Sequence, residues 1–230
     1  MNNKDKTVNK LISIIIPVKN GEKYIAETLD GIKKQDLNTE IIVFDDGSTD
    51  NTAEIAKKYD CKVITHKTSK GPVVAKNSAL KIAQGEYIMF HDADDVMNDG
   101  SLKKLYENLD NSGDISAVMA KVRDFYSPDL SEEEKTRTLI KKEPYYGLFT
   151  GAVLIRKSVF EKIGLFNESV TAGEIIDWQS KMCANHLKIK KLDFVATNRR
   201  IHSSNFGKTQ QKTEYKDYAR ALRERLKLRN

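Results

Sequence analysis

From residue 11 to residue 90, short apolar runs alternate with stretches whose apolar residues recur at helical spacing, and a polar cluster follows three of the four runs. Few folds accept that pattern. A run with no polar face must be covered on both sides, and helical crossovers between such runs build βαβ units, hence a parallel sheet between two layers of helix. The runs are residues 11–18, 40–44, 62–65 and 87–90. Between them, residues 22–34 place Ile25, Leu29 and Ile32 on one helical face, and residues 52–59 and 73–83 read as helices, the last closed by Gly85. Ligands of such sheets collect beyond the carboxyl ends of the strands. There stand Pro17-Val18-Lys19-Asn20-Gly21, Asp45-Asp46-Gly47-Ser48-Thr49-Asp50 and His91-Asp92-Ala93-Asp94-Asp95, which places all three on one edge.

The second half is less regular. A helix follows Gly100, residues 115–126 read as a long strand, and the charged residues 127–143 as a loop or short helix. Strands are expected at 151–156 and 192–196, and helices at 157–162 and about 175–187. A length of 230 residues bounds the chain to one large domain or a domain with an extension. With 39% hydrophobic and 31% charged residues, 12 Gly and 4 Pro, it is neither collagen-like nor disordered. The net charge of +6 raises a nucleic-acid reading, which its distribution removes. Residues 208–230 hold eight Lys or Arg against three acids, a net of +5, so about +1 is left for the first 207 residues. Cys61 and Cys183 form no metal spacing and are expected as reduced thiols. No run approaches the ~18 apolar residues of a membrane span and residues 1–10 are polar, so the sequence reading has no transmembrane helix or signal peptide and a cytoplasmic location.

Each acidic cluster has two readings. Residues 45–50 make either a Gly-containing turn with a helix cap or part of a binding site. Asp92, Asp94 and Asp95 crowd three carboxylates within four residues, which is either a solvated acidic turn or a seat for a hard divalent cation such as Mg²⁺ or Mn²⁺.

Taken together, IIIPVKNGEKYIAETLDGI, EIIVFDDGSTDNTAEIA, GPVVAKNSALKIAQGEYIMFHDADD and GAVLIRKSVFEKIGLF occur in the order and spacing that resembles the family 2 glycosyltransferases of GT-A fold. These segments cover about two-thirds of the chain. The resemblance implies an α/β GT-A fold: a Rossmann-like, mostly parallel sheet flanked by helices. A nucleotide-binding half over about 10–100 and an acceptor half over about 101–207 would make up a domain spanning residues 1–207. It also implies inverting transfer of a sugar from a nucleotide-sugar, most often a UDP-sugar, with Mn²⁺ or Mg²⁺ on the diphosphate. By match to the family's motifs, Pro17, Val18, Asn20 and Glu22 contact the nucleotide, and Asp46 hydrogen-bonds the uracil ring, whose N3–H suits a carboxylate acceptor. Asp92 and Asp94 match the DxD motif, Asp94 as the metal ligand and Asp92 nearer the ribose, with Asp95 as a second ligand. Near the end, Arg200 matches a phosphate clamp and His202 a metal or diphosphate ligand.

Two departures bear on chemistry. Where relatives read Gly-Glu-Asp, this chain has Gly173-Glu174-Ile175, so the general base of the resemblance falls to Glu174 or, failing that, Asp177. Either could equally be an acid placed at a helix N-terminus. Where relatives carry Arg, Lys76 keeps the charge without the bidentate fork. Trp178, His66, His91 and His186 read as structural. In residues 208–230, Tyr215, Tyr218, Leu222 and Leu226 form the apolar stripe of a basic amphipathic helix, either packed on the body or a partner or lying at the inner membrane face. The leading function is a metal-dependent inverting glycosyltransferase acting on a saccharide, lipid-linked or peptide acceptor. The alternative is a nucleotide-binding module with weak or lost activity. A nucleotidyltransferase is disfavoured, because no Gly-rich, Lys- or Arg-bearing loop follows the first strand. Monomer and homodimer are left equal.

Overall fold

The computed structural model describes residues 10–138, 140–147, 151–169, 174–203 and 205. Strands β1 (Ile12–Val18), β2 (Thr39–Asp45), β3 (Lys62–Thr65) and β4 (Tyr87–Phe90) pair in the order β3-β2-β1-β4, all parallel. Helices α1 (Ile25–Lys33), α2 (Thr52–Ala56) and α3 (Pro72–Ile82) are the crossovers. Successive side chains of a strand face opposite ways, and β1 has no polar face to expose. Ile14, Ile16 and Val18 pack with Ile25, Leu29 and Ile32 of α1 on one side, while Ile15 packs with Val73, Ala75 and Ala79 of α3 on the other. The sheet is therefore covered on both sides.

The sheet continues through the second half. Beyond β4 come β8 (Val153–Arg156), β6 (Ala117–Tyr126), β9 (Ile189–Ile201) and β5 (Val96–Met97), with β7 (Tyr145–Tyr146) on β6. Strands β5, β7 and β8 run against the others. Helix α4 (Ser101–Asp110) lies with the α1 layer through Leu102, Leu105 and Leu109; α6 (Lys157–Ile163) and α7 (Glu174–Ala184) lie with α3 through Val159, Phe160 and Trp178. A short helix, α5 (Glu132–Arg137), carries a capping box of Ser131 and Glu134 and accounts for the charged stretch after β6. Among the described residues no helix is long and apolar enough to cross a membrane.

The expected strand at 192–196 is only the middle of the 13-residue β9, and β5 and β7 were not anticipated. Strand β5 places the site. It leaves the Asp92–Asp95 turn directly and pairs antiparallel with β9 at Asn198 and Thr197, so the end of β9 is carried beside that turn. The expected amphipathic helix of residues 208–230 lies outside the described residues.

Candidate functional site

The turns after β1, β2 and β4 meet at one sheet edge, as the strand order requires, and the end of β9 joins them. The first two turns are stitched together. Asn20, held at φ +53°, accepts from the Thr49 N–H at 2.9 Å and donates its own N–H to the Ser48 hydroxyl at 2.8 Å. Glu22 accepts from the Asn51 N–H at 3.0 Å and from its side-chain amide at 2.9 Å. Val18 is buried and its carbonyl accepts from the Asp46 N–H at 2.8 Å; Pro17 is half-buried at the strand end. These four residues thus shape the floor of the edge, with the polar groups of Asn20 and Glu22 spent on the neighbouring turn.

Asp46 is bound from several sides within the protein. Its carboxylate is 4% exposed and both oxygens are taken by protein donors: the His66 ring nitrogen at 2.9 Å, the Ser69 hydroxyl at 2.7 Å, and the backbone N–H groups of Lys70 and Gly71 at 2.9 and 2.8 Å. Burial pushes this carboxyl up, and those hydrogen bonds outweigh it and hold it below the usual carboxylate range. In this arrangement Asp46 fastens the segment leading into α3. His66, set aside as structural in the sequence, is part of that fastening.

At the turn after β4, Asp94 meets His202. The carboxylate Oδ2 lies 2.7 Å from His202 Nε2 and 3.3 Å from the side-chain amide of Asn205. Asp94 keeps about a quarter of its side chain exposed, while the His202 ring behind it is buried. That donor set fits a hard divalent ion which takes its other ligands from water and substrate, and the imidazole favours Mn²⁺ over Mg²⁺. Among the described residues, no three His, Cys, Asp or Glu side chains converge into a metal cage. Asp95 is 1% exposed and turns inward, where Oδ1 accepts from the Arg200 N–H at 2.9 Å and, among the described residues, Oδ2 has no partner. Burial, then the charges of Asp92 and Asp94, raise it well above its ordinary pKa. Asp92 is half-buried; loss of water and then the Asp94 charge push it up to about 6, against the opposing charges of Lys76 and Arg199.

The Arg200 guanidinium is 4% exposed, stacked between the rings of Tyr24 and Phe125 with centroids at 4.8 and 4.7 Å, donating to Glu27 at 2.6 Å and to the Asp94 carbonyl at 2.9 Å. Through these bonds Arg200 positions the Asp94 turn. The half-exposed cation here is its neighbour Arg199, beside the Tyr145 hydroxyl at 3.4 Å and Asp124 at 3.8 Å. The sequence reading missed Arg199. Alternation along β9 was the available signal, since adjacent strand residues face opposite ways and only one of the two arginines can point inward.

Across the edge, Lys76 on α3 and Glu174, the first residue of α7, form an ion pair of 2.9 Å with both side chains about nine-tenths buried. Asp177, one turn on, pairs with Lys181 at 2.9 Å. Of the two base candidates, Glu174 is the one paired to α3, whose first residue follows the Lys70 and Gly71 N–H groups that bind Asp46 at the sheet edge. Trp178 is fully buried against Phe160 and Phe166, a core residue.

Residues 13–164 match the family model described as glycosyl transferase family 2. The glycosyltransferase GlyG of Streptococcus pneumoniae is 39% identical over 108 residues, 44% of this chain and 36% of that protein. The poly(ribitol-phosphate) β-N-acetylglucosaminyltransferase TarS of Staphylococcus aureus is 44% identical over 99 residues, 40% of this chain and 17% of TarS. The chain thus spans about a third or less of these relatives' length. A crystal structure of TarS in complex with UDP-GlcNAc superposes with a TM-score of 0.68 at 25% identity, covering 84% of this chain and 59% of that one. The mannosyltransferase PcManGT of Pyrobaculum calidifontis, in complex with GDP-Man and Mn²⁺, reaches 0.73 at 19% identity, covering 94% and 65%, a likeness of fold.

Proposed function

The chain belongs to glycosyl transferase family 2, and from that premise we propose that it moves a sugar from a uridine diphosphate donor to a hydroxyl of a saccharide acceptor, with inversion at the anomeric carbon. The likeness to a TarS structure holding UDP-GlcNAc supports the uridine donor. The observation that carries the reading is the contact of Asp94 with His202, 108 residues apart, at the strand edge where a ligand of this sheet belongs. A divalent ion held by Asp94 and His202 would neutralise charge on the leaving diphosphate. Arg199 adds the nearby half-exposed cation. The stitched turns of Asn20 and Glu22, with the segment that Asp46 fastens, form a prebuilt wall for the nucleoside. On the far side Glu174 is the base. As the acceptor oxygen bonds to the anomeric carbon, its proton passes to the carboxylate, and the electron pair of the broken C–O bond leaves with the diphosphate.

Calorimetric titration of UDP into the protein, with Mn²⁺ and with EDTA, tests the reading on wild type and Asp94→Ala. Binding that needs both the ion and Asp94 is the expected result. Absence of UDP binding by wild type with Mn²⁺ would overturn the uridine donor, and equal binding by both proteins in EDTA would overturn the metal pair.

A further inference from the structure

Lys76 and Glu174 bring opposite charges to 2.9 Å in a largely dry space between α3 and α7. Helix α3 begins at the carboxyl edge of the sheet, where the N–H groups of Lys70 and Gly71, just ahead of Pro72, hold the Asp46 carboxylate, so Lys76, one turn into the helix, stands near the donor edge. On the reading of this edge as a donor site, we propose that Lys76 is a donor-operated latch on the base. In the free protein its ammonium holds Glu174, and a bound diphosphate draws it away and leaves the carboxylate for the acceptor hydroxyl.

The physical argument is one of exchange. A buried charge cannot simply lose its partner, because stripping one member from a buried pair strands the other out of water. Lys76 can leave Glu174 only if another anion takes its place, and a diphosphate is such an anion. Glu174 then stands buried and uncompensated, a state relieved when it takes the acceptor's proton. Proton transfer is in this way tied to the presence of donor. Lysine suits the task. Its charge is a point at the end of a flexible stem that can move between two anions, whereas a planar arginine fork held by two hydrogen bonds is slower to give up either.

Linkage supplies the test. If diphosphate and Glu174 compete for Lys76, removing the carboxylate's charge must tighten UDP binding, since couplings of this kind run to about 5–150-fold. UDP with Mn²⁺ is titrated into wild type, Glu174→Gln, Lys76→Met and the double variant, with melting curves for each. Glu174→Gln is expected to bind UDP at least about 5-fold more tightly. Lys76→Met binds more weakly, and the double variant matches Lys76→Met. A purely structural pair predicts unchanged or weaker binding by Glu174→Gln, and that result overturns the latch. If Glu174→Gln fails to fold, Glu174→Asp takes its place: a carboxylate shortened by one methylene loosens the pair, so tighter UDP binding supports the latch and equal or weaker binding overturns it. Failure of wild type itself to bind UDP is a separate outcome, which removes the donor reading and the latch with it.

Discussion

The Asp46 carboxylate shows how one residue's surroundings set its pH behaviour. Because hydrogen bonds hold its native pKa below the ordinary value, its contribution to stability is complete above the ordinary carboxylate range and is lost as pH falls below about 4. Asp46→Asn should lose about 2 kcal/mol at neutral pH, since charge-assisted bonds to His66, Ser69, Lys70 and Gly71 are weakened. Urea unfolding at pH 7 and pH 3 is the check: the gap between variant and wild type narrows at pH 3, and a constant gap would contradict the assignment. The acid's presence after β2 was legible in the sequence. Its engagement was not, because the donors come from residues 66–71, folded back onto it from beyond β3. His202 gives a second prediction at this scale. If Mn²⁺ is held by Asp94 and His202 as proposed, it should raise the melting temperature of wild type. His202→Ala should abolish at least most of that rise, and a rise of the same size in the variant would remove His202 from the metal pair.

Elements meet where side chains leave room for them. At the seam between β4 and β8, Gly151 sits at φ +67° with its N–H on the Phe90 carbonyl, and a Cβ there would meet the His91 ring at 2.4 Å. The ring is buried and cannot retreat, so Gly151→Ala meets both a strained backbone and a rigid neighbour. A loss of about 3 kcal/mol by denaturant titration follows, and a loss below about 0.5 kcal/mol would show the seam to be softer than described. Alternating runs and helical spacing located β1–β4 and their crossovers because each element there carries its own period. Two-residue strands such as β5 and β7 carry none. Their existence depends on partners far along the chain, so β5, the element that brings β9 to the site, was invisible until the fold was known.

Across the whole molecule, one sheet carries both halves of the chain, and Arg200 ties its ends. The guanidinium joins Glu27 of α1, Phe125 of β6 and the Asp94 carbonyl, across separations of up to 173 residues. Arg200→Met would leave the largely exposed Glu27 to water but would remove the guanidinium from between two aromatic rings and from the Asp94 carbonyl, for a loss of about 1–2 kcal/mol in a two-state unfolding measurement; an unchanged stability would deny Arg200 its part as the clasp. Loops of such length cost little extra to close once formed but are slow to find. That order of events reaches into the birth of the protein. A ribosome delivers the turns proposed to face the nucleoside within the first hundred residues, yet Asp94 does not meet His202 until residue 202 has emerged and β9 has threaded onto β5. A nascent or prematurely released chain thus lacks the Asp94–His202 contact, and the seat proposed for the metal is completed only when β9 arrives.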